Sequence, residues 1–316
     1  MAETAPRFGA RSTALEVVQG MALHGRTAIV TGGASGLGLE TSRALARAGA
    51  SVTLAVRNRA QGAAAVATLR AEQPEADVQL GDLDLADLAS VAAFARAWGS
   101  RPLHMLINNA AIMACPLART AQGWELQFAV NHLGHFALTT ALLPALRAGA
   151  PSRLVCLSST GHKLGGVDFD DIHFDHRPYN KWLAYGQAKS ANALLALGVH
   201  GRHAADGITA NAVHPGGIMT GLQKHLALDE MAALGWLKAD GTPLDIFKTP
   251  AQGAATSVWA ATAPELAGRG GLYLEDCGIG QPAPASNRVS GFSPHIADGA
   301  GAQRLWAVSQ ALLAQA

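Results

Sequence analysis

One phenol and one ammonium stand four residues apart in the segment LAYGQAKSAN, which covers residues 183–192. Positions i and i+4 share one face of a helix, so the side chains of Tyr185 and Lys189 would be neighbours. A nearby cation favours the phenolate and lowers the pKa of a phenol, which is otherwise near 10. Such a pair could transfer protons at neutral pH. Because the spacing could also be coincidental, its meaning depends on the elements that position it.

A glycine-rich loop follows the first apolar segment of the chain. RTAIVTG, residues 26–32, predicts a buried strand, and helical periodicity follows over residues 36–49. Between them, Gly32, Gly36 and Gly38 would let backbone N–H groups approach a pyrophosphate at the helix N-terminus. An ordinary glycine-rich turn is the alternative, but the strand before it and the helix after it favour dinucleotide binding. No lysine follows the glycines, which argues against a triphosphate loop.

The end of the second predicted strand indicates which dinucleotide would bind. Dinucleotide-binding folds usually place an acid there, which accepts a hydrogen bond from the ribose hydroxyl of NAD. In the segment LAVRNR this position holds Val56 and Arg57. A guanidinium suits a ribose phosphate, so Arg57 favours NADP over NAD, unless it is only a solvated surface charge.

Short apolar segments alternate with helical patterns along the whole chain, as in repeated β-α-β units. The alternation predicts one α/β domain over residues 1–316, with helices on both faces of a seven-stranded parallel sheet. The predicted strands cover residues 26–32, 51–56, 77–83, 103–110, 152–159, 207–217 and 270–275.

Two segments interrupt the alternation beyond the carboxyl ends of strands, where open parallel sheets bind ligands. Residues 160–182 are a loop-rich insertion, and residues 218–249 are predicted to be a helical excursion. As a lid, their apolar side chains would predict a medium or large apolar substrate; as packing, they would only close the sheet. These side chains are Phe169, Ile172, Phe174, Trp182, Met219, Leu222, Leu226, Met231 and Trp236.

Extensions flank the predicted sheet at both ends of the chain. Residues 1–22 contain a short predicted helix with Thr13 and Glu16 as a capping box, and no apolar core of a secretory signal is expected there. Residues 281–316 end in an amphipathic helix over residues 300–314.

Composition argues against several functional classes. A formal net charge of +1 gives no field that would attract nucleic acid or an anionic membrane. No apolar run reaches the roughly 18 residues that a membrane span needs. Cys115, Cys156 and Cys277 are far apart and predict free thiols in a reducing compartment. We therefore expect a cytoplasmic protein that acts on a small molecule.

Histidine pairs three residues apart could suggest a metal site. His132 and His135 form one pair, and His173 and His176 form the other. Neither pair has cysteine neighbours, and no metal is predicted.

Seven segments together resemble the single-domain branch of the short-chain dehydrogenase/reductase family, from about residue 23 to residue 277. NHLGHF, the long insertion before the tyrosine and GGLYLEDC resemble retinol dehydrogenase-like and protochlorophyllide reductase-like members. The resemblance implies a Rossmann fold, to which the sequence pattern adds helical terminal extensions. The matching segments occur in the family's order: TGGASGLG, DLDL (82–85), NNAA (108–111), NHLGHF (131–136), CLSST (156–160), YGQAK (185–189) and HPGGIMT (214–220).

The resemblance also implies which residues form the site. Tyr185 would exchange a proton with the substrate oxygen, and Ser159 would orient that oxygen. Lys189, together with the oxidised nicotinamide ring, would acidify the phenol, and it would also contact the nicotinamide ribose. Asn131 would hold a water that connects Lys189 to solvent, and a role as a structural amide is compatible with this. The implied cofactor-binding residues are Gly32, Ser35, Gly36, Leu37, Gly38, Arg57, Asp84, Leu85, Asn109, Ala110, Tyr185, Lys189, Pro215, Gly217, Ile218 and Thr220.

Two departures from the family pattern need an explanation. Ala111 stands where the family has glycine, which matters only if that backbone needs a positive φ. The separation of 26 residues between Ser159 and Tyr185 is about twice the compact family spacing, because of the insertion.

The expected activity is an NADP(H)-dependent oxidoreductase, of the carbonyl reductase kind, that interconverts an apolar secondary alcohol and its ketone, or a primary alcohol and its aldehyde. Reduction of a carbon–carbon double bond is an alternative, as is a non-catalytic NADP-binding sensor or scaffold. The helix that continues from Tyr185 is apolar nearly all round, which predicts a subunit interface in a homodimer or homotetramer.

Overall fold

A single sheet of eight strands forms the centre of the protein. The computed structural model describes residues 8–284, 286–287 and 289–316. The strand order is β3-β2-β1-β4-β5-β6-β7-β8, and the first seven strands are parallel. The strands are β1 (Thr27–Thr31), β2 (Ser51–Val56), β3 (Val78–Asp82), β4 (Met105–Asn108), β5 (Ser152–Leu157), β6 (Ile208–His214), β7 (Tyr273–Glu275) and β8 (Gly278–Ile279).

The eighth strand corrects the sequence prediction of seven parallel strands. β8 pairs antiparallel with β7, with Glu275 opposite Gly278. Asp276 and Cys277 connect them, and both have positive φ, at 51° and 54°. Two positive φ values are typical of a type I′ hairpin turn, which usually has the sequence Asn-Gly or Asp-Gly. The prediction missed β8 because the strand has only two residues and its turn lacks that signature.

Helices cover both faces of the sheet, as a parallel sheet requires. Neighbouring residues Ile29 and Val30 of β1 are both fully buried, but they belong to two different apolar clusters on opposite faces. The three-layer, doubly wound α/β fold is therefore confirmed. The α-helices are α1 (Ala14–Val17), α2 (Gly36–Arg47), α3 (Arg59–Glu72), α4 (Leu88–Trp98), α5 (Leu126–Phe128), α6 (Gly134–Ala148), α7 (Lys181–His203), α8 (Leu228–Ala233), α9 (Pro250–Thr262) and α10 (Gly299–Ala314).

The two predicted insertions differ in how regular they are. The first contains a 3₁₀ turn over Thr160–Leu164, and it ends where Asn180 caps the N-terminus of α7. The second is less helical than predicted, with only a 3₁₀ turn and the short α8. Gly235 and Gly241 have positive φ values, which interrupt a helix.

The C-terminal helix explains why α7 is buried nearly all round. Ala188, Ala191 and Leu194 of α7 share an apolar cluster with Ala302 and Leu305 of α10. The face that suggested a subunit interface is thus covered by the same chain. Its burial gives no evidence for a second copy.

The terminal helices match the sequence analysis. Thr13 and Glu16 form the predicted capping box at the start of α1. Residues 1–7 of the predicted N-terminal extension lie outside the described residues. In the part of the chain that is described, no helix has the length and apolar character needed to cross a bilayer.

Candidate active site

The predicted site residues lie at one edge of the sheet. Strands β1 to β6 are parallel neighbours, so their carboxyl ends meet along this edge. The glycine loop follows β1, and the segments with Asn109 and Ser159 follow β4 and β5. The structure therefore brings together residues that are up to 188 positions apart in sequence, from Gly32 to Thr220.

The glycine loop has the shape that a pyrophosphate needs. Gly32 and Gly36 have φ values of 65° and 51°. A Cβ atom on Gly38 would lie 2.2 Å from the Gly32 carbonyl oxygen and 2.6 Å from Nδ2 of Asn109. The N-cap residue Ser35 makes no side-chain capping bond, so the N–H groups in the first turn of α2 remain available to an anion. Leu37 lies in the same turn, and the loop fits a dinucleotide.

Hydrogen bonds of Thr31, at the end of β1, connect the loop after β4 to the start of the glycine loop. Its hydroxyl accepts hydrogen bonds of 2.9 Å from the N–H groups of Asn109 and Ala110. Nδ2 of Asn109 donates to the Thr31 carbonyl at 2.8 Å. Ala111 is not among the non-glycine residues with positive φ in the described part of the chain. Alanine is therefore compatible with the backbone where the family has glycine.

Arg57 is an exposed cation immediately after β2. Within the described residues its guanidinium makes no ion pair, whereas its neighbour Arg59 pairs with Asp82. The side chain of Asp84 is engaged in its own turn, where Oδ1 accepts the N–H of Ala86 at 2.9 Å. Leu85 is buried beside it. Of these two arginines, Arg57 is thus the one without an ion-pair partner in the described part of the chain.

The loop after β6 returns to the glycine loop. Pro215 and Gly217 lead to Ile218, which packs so closely on α9 that a Cβ on Gly253 would lie 2.7 Å from it. The Cγ2 atom of Thr220 lies 3.5 Å from where a Cβ on Gly36 would stand. This loop therefore lies next to the glycine loop.

Tyr185 and Lys189 are buried on one face of α7, as their spacing predicted. Nζ of Lys189 lies 5.6 Å from the centroid of the phenol ring. It donates a hydrogen bond of 2.9 Å to the carbonyl oxygen of Leu157, the last residue of β5. The end of β5 thus fixes the ammonium near the phenol.

The structure separates two adjacent serines that periodicity could not distinguish. Ser158 donates a hydrogen bond of 2.8 Å to the carbonyl oxygen of Lys189, so its hydroxyl holds β5 to α7. The Ser159 hydroxyl instead accepts the N–H of Gly161 at 3.0 Å and interacts with the phenol of Tyr185. Ser159 is the serine that faces the phenol.

Burial dominates the protonation of this pair. It raises the pKa of Tyr185 to about 12, although the hydrogen bond with Ser159 lowers it. Burial also lowers the pKa of Lys189 to about 8. We expect Lys189 to acidify the phenol together with the oxidised nicotinamide ring, and this joint effect stays a prediction. A further positive charge beside the ring is needed for a pKa near neutrality.

Asn131 occupies a π-helical turn, Ala129–Leu133, between α5 and α6. Its Oδ1 accepts the N–H of Ile112 and its Nδ2 donates to the Ile112 carbonyl, both at 2.9 Å. The side chain is thus the structural amide that was one of the two expectations. The role in holding a water stays a prediction.

His135 belongs to the site in a way that the sequence analysis missed. Its Nδ1 lies 2.9 Å from the Asn131 carbonyl, and its Nε2 lies 2.9 Å from the Thr31 hydroxyl. Because the Asn131 carbonyl only accepts, Nδ1 carries the proton and Nε2 accepts from Thr31. Burial lowers the pKa of His135 to about 4, so the ring is neutral. The imidazole joins the glycine loop to the turn of Asn131.

His132 and His173 also have partners that are not metals. Nε2 of His132 lies 2.8 Å from the Ser309 hydroxyl of α10. Nδ1 of His173 accepts the N–H of Glu125. The described residues contain no group of three or more histidine, cysteine or acidic side chains that could hold a metal ion.

A cluster of apolar side chains, the candidate lid, encloses Tyr185. Met113, Ala114, Leu226 and Met231 are buried in one cluster with the phenol. Trp182, Met219, Leu222 and Trp236 pack against this cluster.

Two contacts join the lid to the start of α7. The rings of Trp182 and Trp236 meet edge to face at 6.0 Å, and Lys181 pairs with Glu230 at 2.7 Å. The predicted lid residues Phe169 and Ile172 pack instead in the cluster of α7 and α10, and Phe174 packs on Tyr179. The lid is therefore made mainly by the second insertion.

Comparison with known proteins identifies the family. The model of the short chain dehydrogenase family matches residues 26–231. The chain belongs to this family. A "Probable oxidoreductase" of Streptomyces antibioticus is 48% identical over 290 residues, covering 90% of this chain and 97% of the relative. Human retinol dehydrogenase 14 is 35% identical over 311 residues, covering 92% of this chain and 87% of the relative. The expected likeness to retinol dehydrogenase-like members is confirmed.

Solved structures of the family share the fold. A protein of Mycobacterium paratuberculosis has a TM-score of 0.73 and 35% identity, covering 96% of this chain and 97% of the other. The NADP active-site complex of Pseudomonas aeruginosa RhlG has a TM-score of 0.62 and 27% identity, with 80% and 95% covered. The chain is thus a short-chain oxidoreductase with a Rossmann-like fold.

Proposed function

We propose that this short-chain oxidoreductase uses NADP(H) to interconvert an apolar alcohol and its ketone or aldehyde. The observation that carries the proposal is the position of Tyr185, whose phenol faces Ser159 and lies under the apolar lid. A phenol in this place can exchange a proton with the oxygen of a carbonyl that enters between lid and sheet.

Each polar side chain near Tyr185 has a separate task. Bound nicotinamide would supply or accept the hydride, and its oxidised form would bring positive charge to the site. Ser159 donates to the substrate oxygen and holds it within reach of the phenol. Lys189, fixed by Leu157, places an ammonium on the side of the phenol that faces the sheet. The lid excludes water from the reacting carbon.

The residues that would hold the dinucleotide support NADP rather than NAD as the cofactor. Gly32, Gly36 and Gly38 would cradle the pyrophosphate. Arg57 is exposed and makes no ion pair with any described residue, which suits the ribose phosphate. The related RhlG structure is an NADP complex. Asp84, Asn109 and Thr220 line the remaining edge of the sheet.

The composition of the lid favours an apolar substrate. Two tryptophans, three methionines and four other apolar residues form one cluster with the phenol. Retinol dehydrogenase 14 is among the relatives, and its name describes an apolar alcohol as substrate.

Assembly into a homodimer or homotetramer stays a prediction, which analytical ultracentrifugation can test. The burial of α7 no longer supports it, because α10 of the same chain covers that helix.

A substrate screen tests the proposal. Methyl ketones from butanone to dodecanone, retinal and matched enones would be offered with NADPH and, separately, with NADH. We expect oxidation of NADPH with the longer ketones or retinal, and an alcohol as product. Turnover of only the carbon–carbon double bond of the enones would support the alternative reductase. NADPH binding without turnover of any substrate would support the non-catalytic sensor or scaffold.

A further inference from the structure

The turn that follows Ser159 is held from outside by the C-terminal segment. This turn consists of Thr160–Leu164, and Gly161 within it lies directly against the ring of Tyr185. Its position therefore sets how the Ser159 hydroxyl meets the phenol. The sequence analysis gave residues 281–316 no function.

His162 is the buried link between the turn and the C-terminal segment. Its Nδ1 lies 2.6 Å from the Ser159 carbonyl, and its Nε2 accepts the N–H of Ser293 at 3.0 Å. A carbonyl only accepts and an N–H only donates, so the ring must be neutral with its proton on Nδ1. Burial, which lowers the pKa of His162 to about 4, agrees with this state. Both nitrogens are thus occupied.

A second side chain of the turn reaches the same segment. Nζ of Lys163 donates to the carbonyl oxygens of Asn287 and Ser290, at 2.5 and 2.6 Å. On the other side, the carboxylate of Glu275 accepts the N–H of Gly291 at 2.8 and 2.9 Å. The segment is therefore fixed to the turn and to the end of β7.

Aromatic packing completes the link. The ring of His162 meets Tyr273 of β7 edge to face at 5.2 Å. His295 lies 5.9 Å from the same imidazole, and its Nε2 is 3.1 Å from the Ser190 hydroxyl of α7. The imidazole is enclosed by the sheet, α7 and the C-terminal segment.

We propose that His162 is a positioning residue for Ser159, and that residues 286–287 and 289–295 act as a strap that holds the serine turn in place. Nδ1–H fixes the backbone of Ser159, and Nε2 ties this backbone to the strap at Ser293. The proposal rests on the proposed function, because it assumes that the Ser159 hydroxyl orients the substrate oxygen.

Three substitutions of His162 separate its two hydrogen bonds. His162→Asn keeps a donor close to the position of Nδ1, and His162→Gln keeps an acceptor close to that of Nε2. His162→Phe keeps only the ring shape. We expect kcat with the preferred ketone to fall about tenfold or more in His162→Phe and His162→Gln. It should fall less, by about threefold, in His162→Asn, which keeps the bond to Ser159 but loses the bond to Ser293. KM for NADPH should stay within about threefold in all three.

The pH profile of alcohol oxidation gives a readout that simple loss of stability would not move. The Ser159 hydrogen bond lowers the pKa of Tyr185. If Ser159 is displaced, the apparent pKa in the profile of kcat should rise in His162→Phe and rise less in His162→Asn. His176 is exposed, and His176→Phe serves as the matched control. We expect no change in its kcat or in the apparent pKa of its pH profile.

Lys163→Met keeps the experiment informative if His162→Phe does not fold. It should speed hydrogen exchange at the amides of Gly291 and Ser293 and lower kcat less than His162→Phe does. Normal kcat and an unchanged profile in folded His162→Phe, or in Lys163→Met with a released strap, would overturn the proposal. Ser159→Ala distinguishes failure of the proposed function from failure of the proposal on His162. If Ser159→Ala retains full kcat, the proposed role of Ser159 in the reaction is wrong.

Discussion

Gly161 and Tyr185 are packed so closely that no side chain fits between them. A Cβ atom on Gly161 would lie 2.8 Å from Cε1 and 3.0 Å from Cδ1 of the tyrosine ring. Contacts below about 3 Å cannot be tolerated without movement, and the ring is buried and cannot move away freely. The serine turn and the phenol are thus fitted to each other.

Gly161→Ala is predicted to displace the phenol without affecting the dinucleotide. We expect kcat to fall about tenfold or more, because a small misplacement of a proton donor is costly, while NADPH affinity stays within about threefold. Steady-state kinetics and fluorescence titration with NADPH measure the two quantities. Gly201→Ala, where a Cβ meets nothing within 4 Å, is the control. Unchanged kcat in Gly161→Ala would show that the fit has no catalytic consequence.

Arg57→Gln is predicted to reduce the preference for NADP. Loss of a charge-assisted hydrogen bond of about 1.5 to 3 kcal/mol should lower kcat/KM for NADPH about tenfold or more, with little effect on NADH. Arg59→Gln is the matched control, since its guanidinium pairs with Asp82. Equal losses with both cofactors, or a larger effect of Arg59→Gln, would argue against the assigned role of Arg57.

Trp236→Ala is predicted to weaken recognition of long apolar substrates. The indole packs on Trp182 and on the cluster around Tyr185, so its removal opens the lid. We expect kcat/KM for dodecanone to fall about tenfold relative to that for butanone, from lost apolar contact of about 1.4 kcal/mol. Leu228→Ala removes an apolar side chain that is 70% exposed on the same insertion and should leave the ratio unchanged. A constant ratio in Trp236→Ala would mean that the lid only packs the fold.

Several features of this site could be read from the sequence, and others depend on contacts between distant residues. The spacing of Tyr185 and Lys189 on one helix is a local property, and so is the glycine loop after β1. The difference between Ser158 and Ser159 is not local, because it depends on a bond from Ser158 to the backbone of Lys189.

The histidines also show that contacts between distant residues cannot be inferred from local sequence. Sequence spacing suggested only a metal for His135, whereas its partners Thr31 and Asn131 come from the end of β1 and from the π-helical turn. No local pattern indicated a role for His162, because its partner Ser293 is 131 residues away. Pairing across such distances follows from how the sheet and the C-terminal segment assemble.

Acid is predicted to destabilise the protein through its buried neutral histidines. Their pKa values in the folded state lie below the ordinary value of 6.5, because burial penalises the charged ring. Below about pH 6.5 the unfolded chain therefore binds more protons than the folded protein, and stability falls as the pH drops towards about 4. The residues are His132 (about 3), His135 (about 4), His162 (about 4) and His214 (about 3).

Urea unfolding between about pH 7.5 and about pH 5 measures this effect. Each such histidine contributes at most about 1.4 kcal/mol per pH unit to the slope. His132→Gln, which can still reach Ser309, should flatten the slope by up to that amount, and exposed His176→Gln should not. A slope that is the same in His132→Gln and the wild-type protein would contradict the assignment.

Tyr185 carries the central claim, and single-turnover hydride transfer in Tyr185→Phe tests it most directly. NADPH oxidation by the preferred ketone would be followed in a stopped-flow instrument, with Tyr179→Phe as the control that removes another half-buried phenol. We predict a rate about a hundredfold or more below the wild-type rate in Tyr185→Phe, with NADPH affinity within about threefold, and a near-normal rate in Tyr179→Phe. A folded Tyr185→Phe protein that binds NADPH and transfers hydride at the wild-type rate would contradict the account.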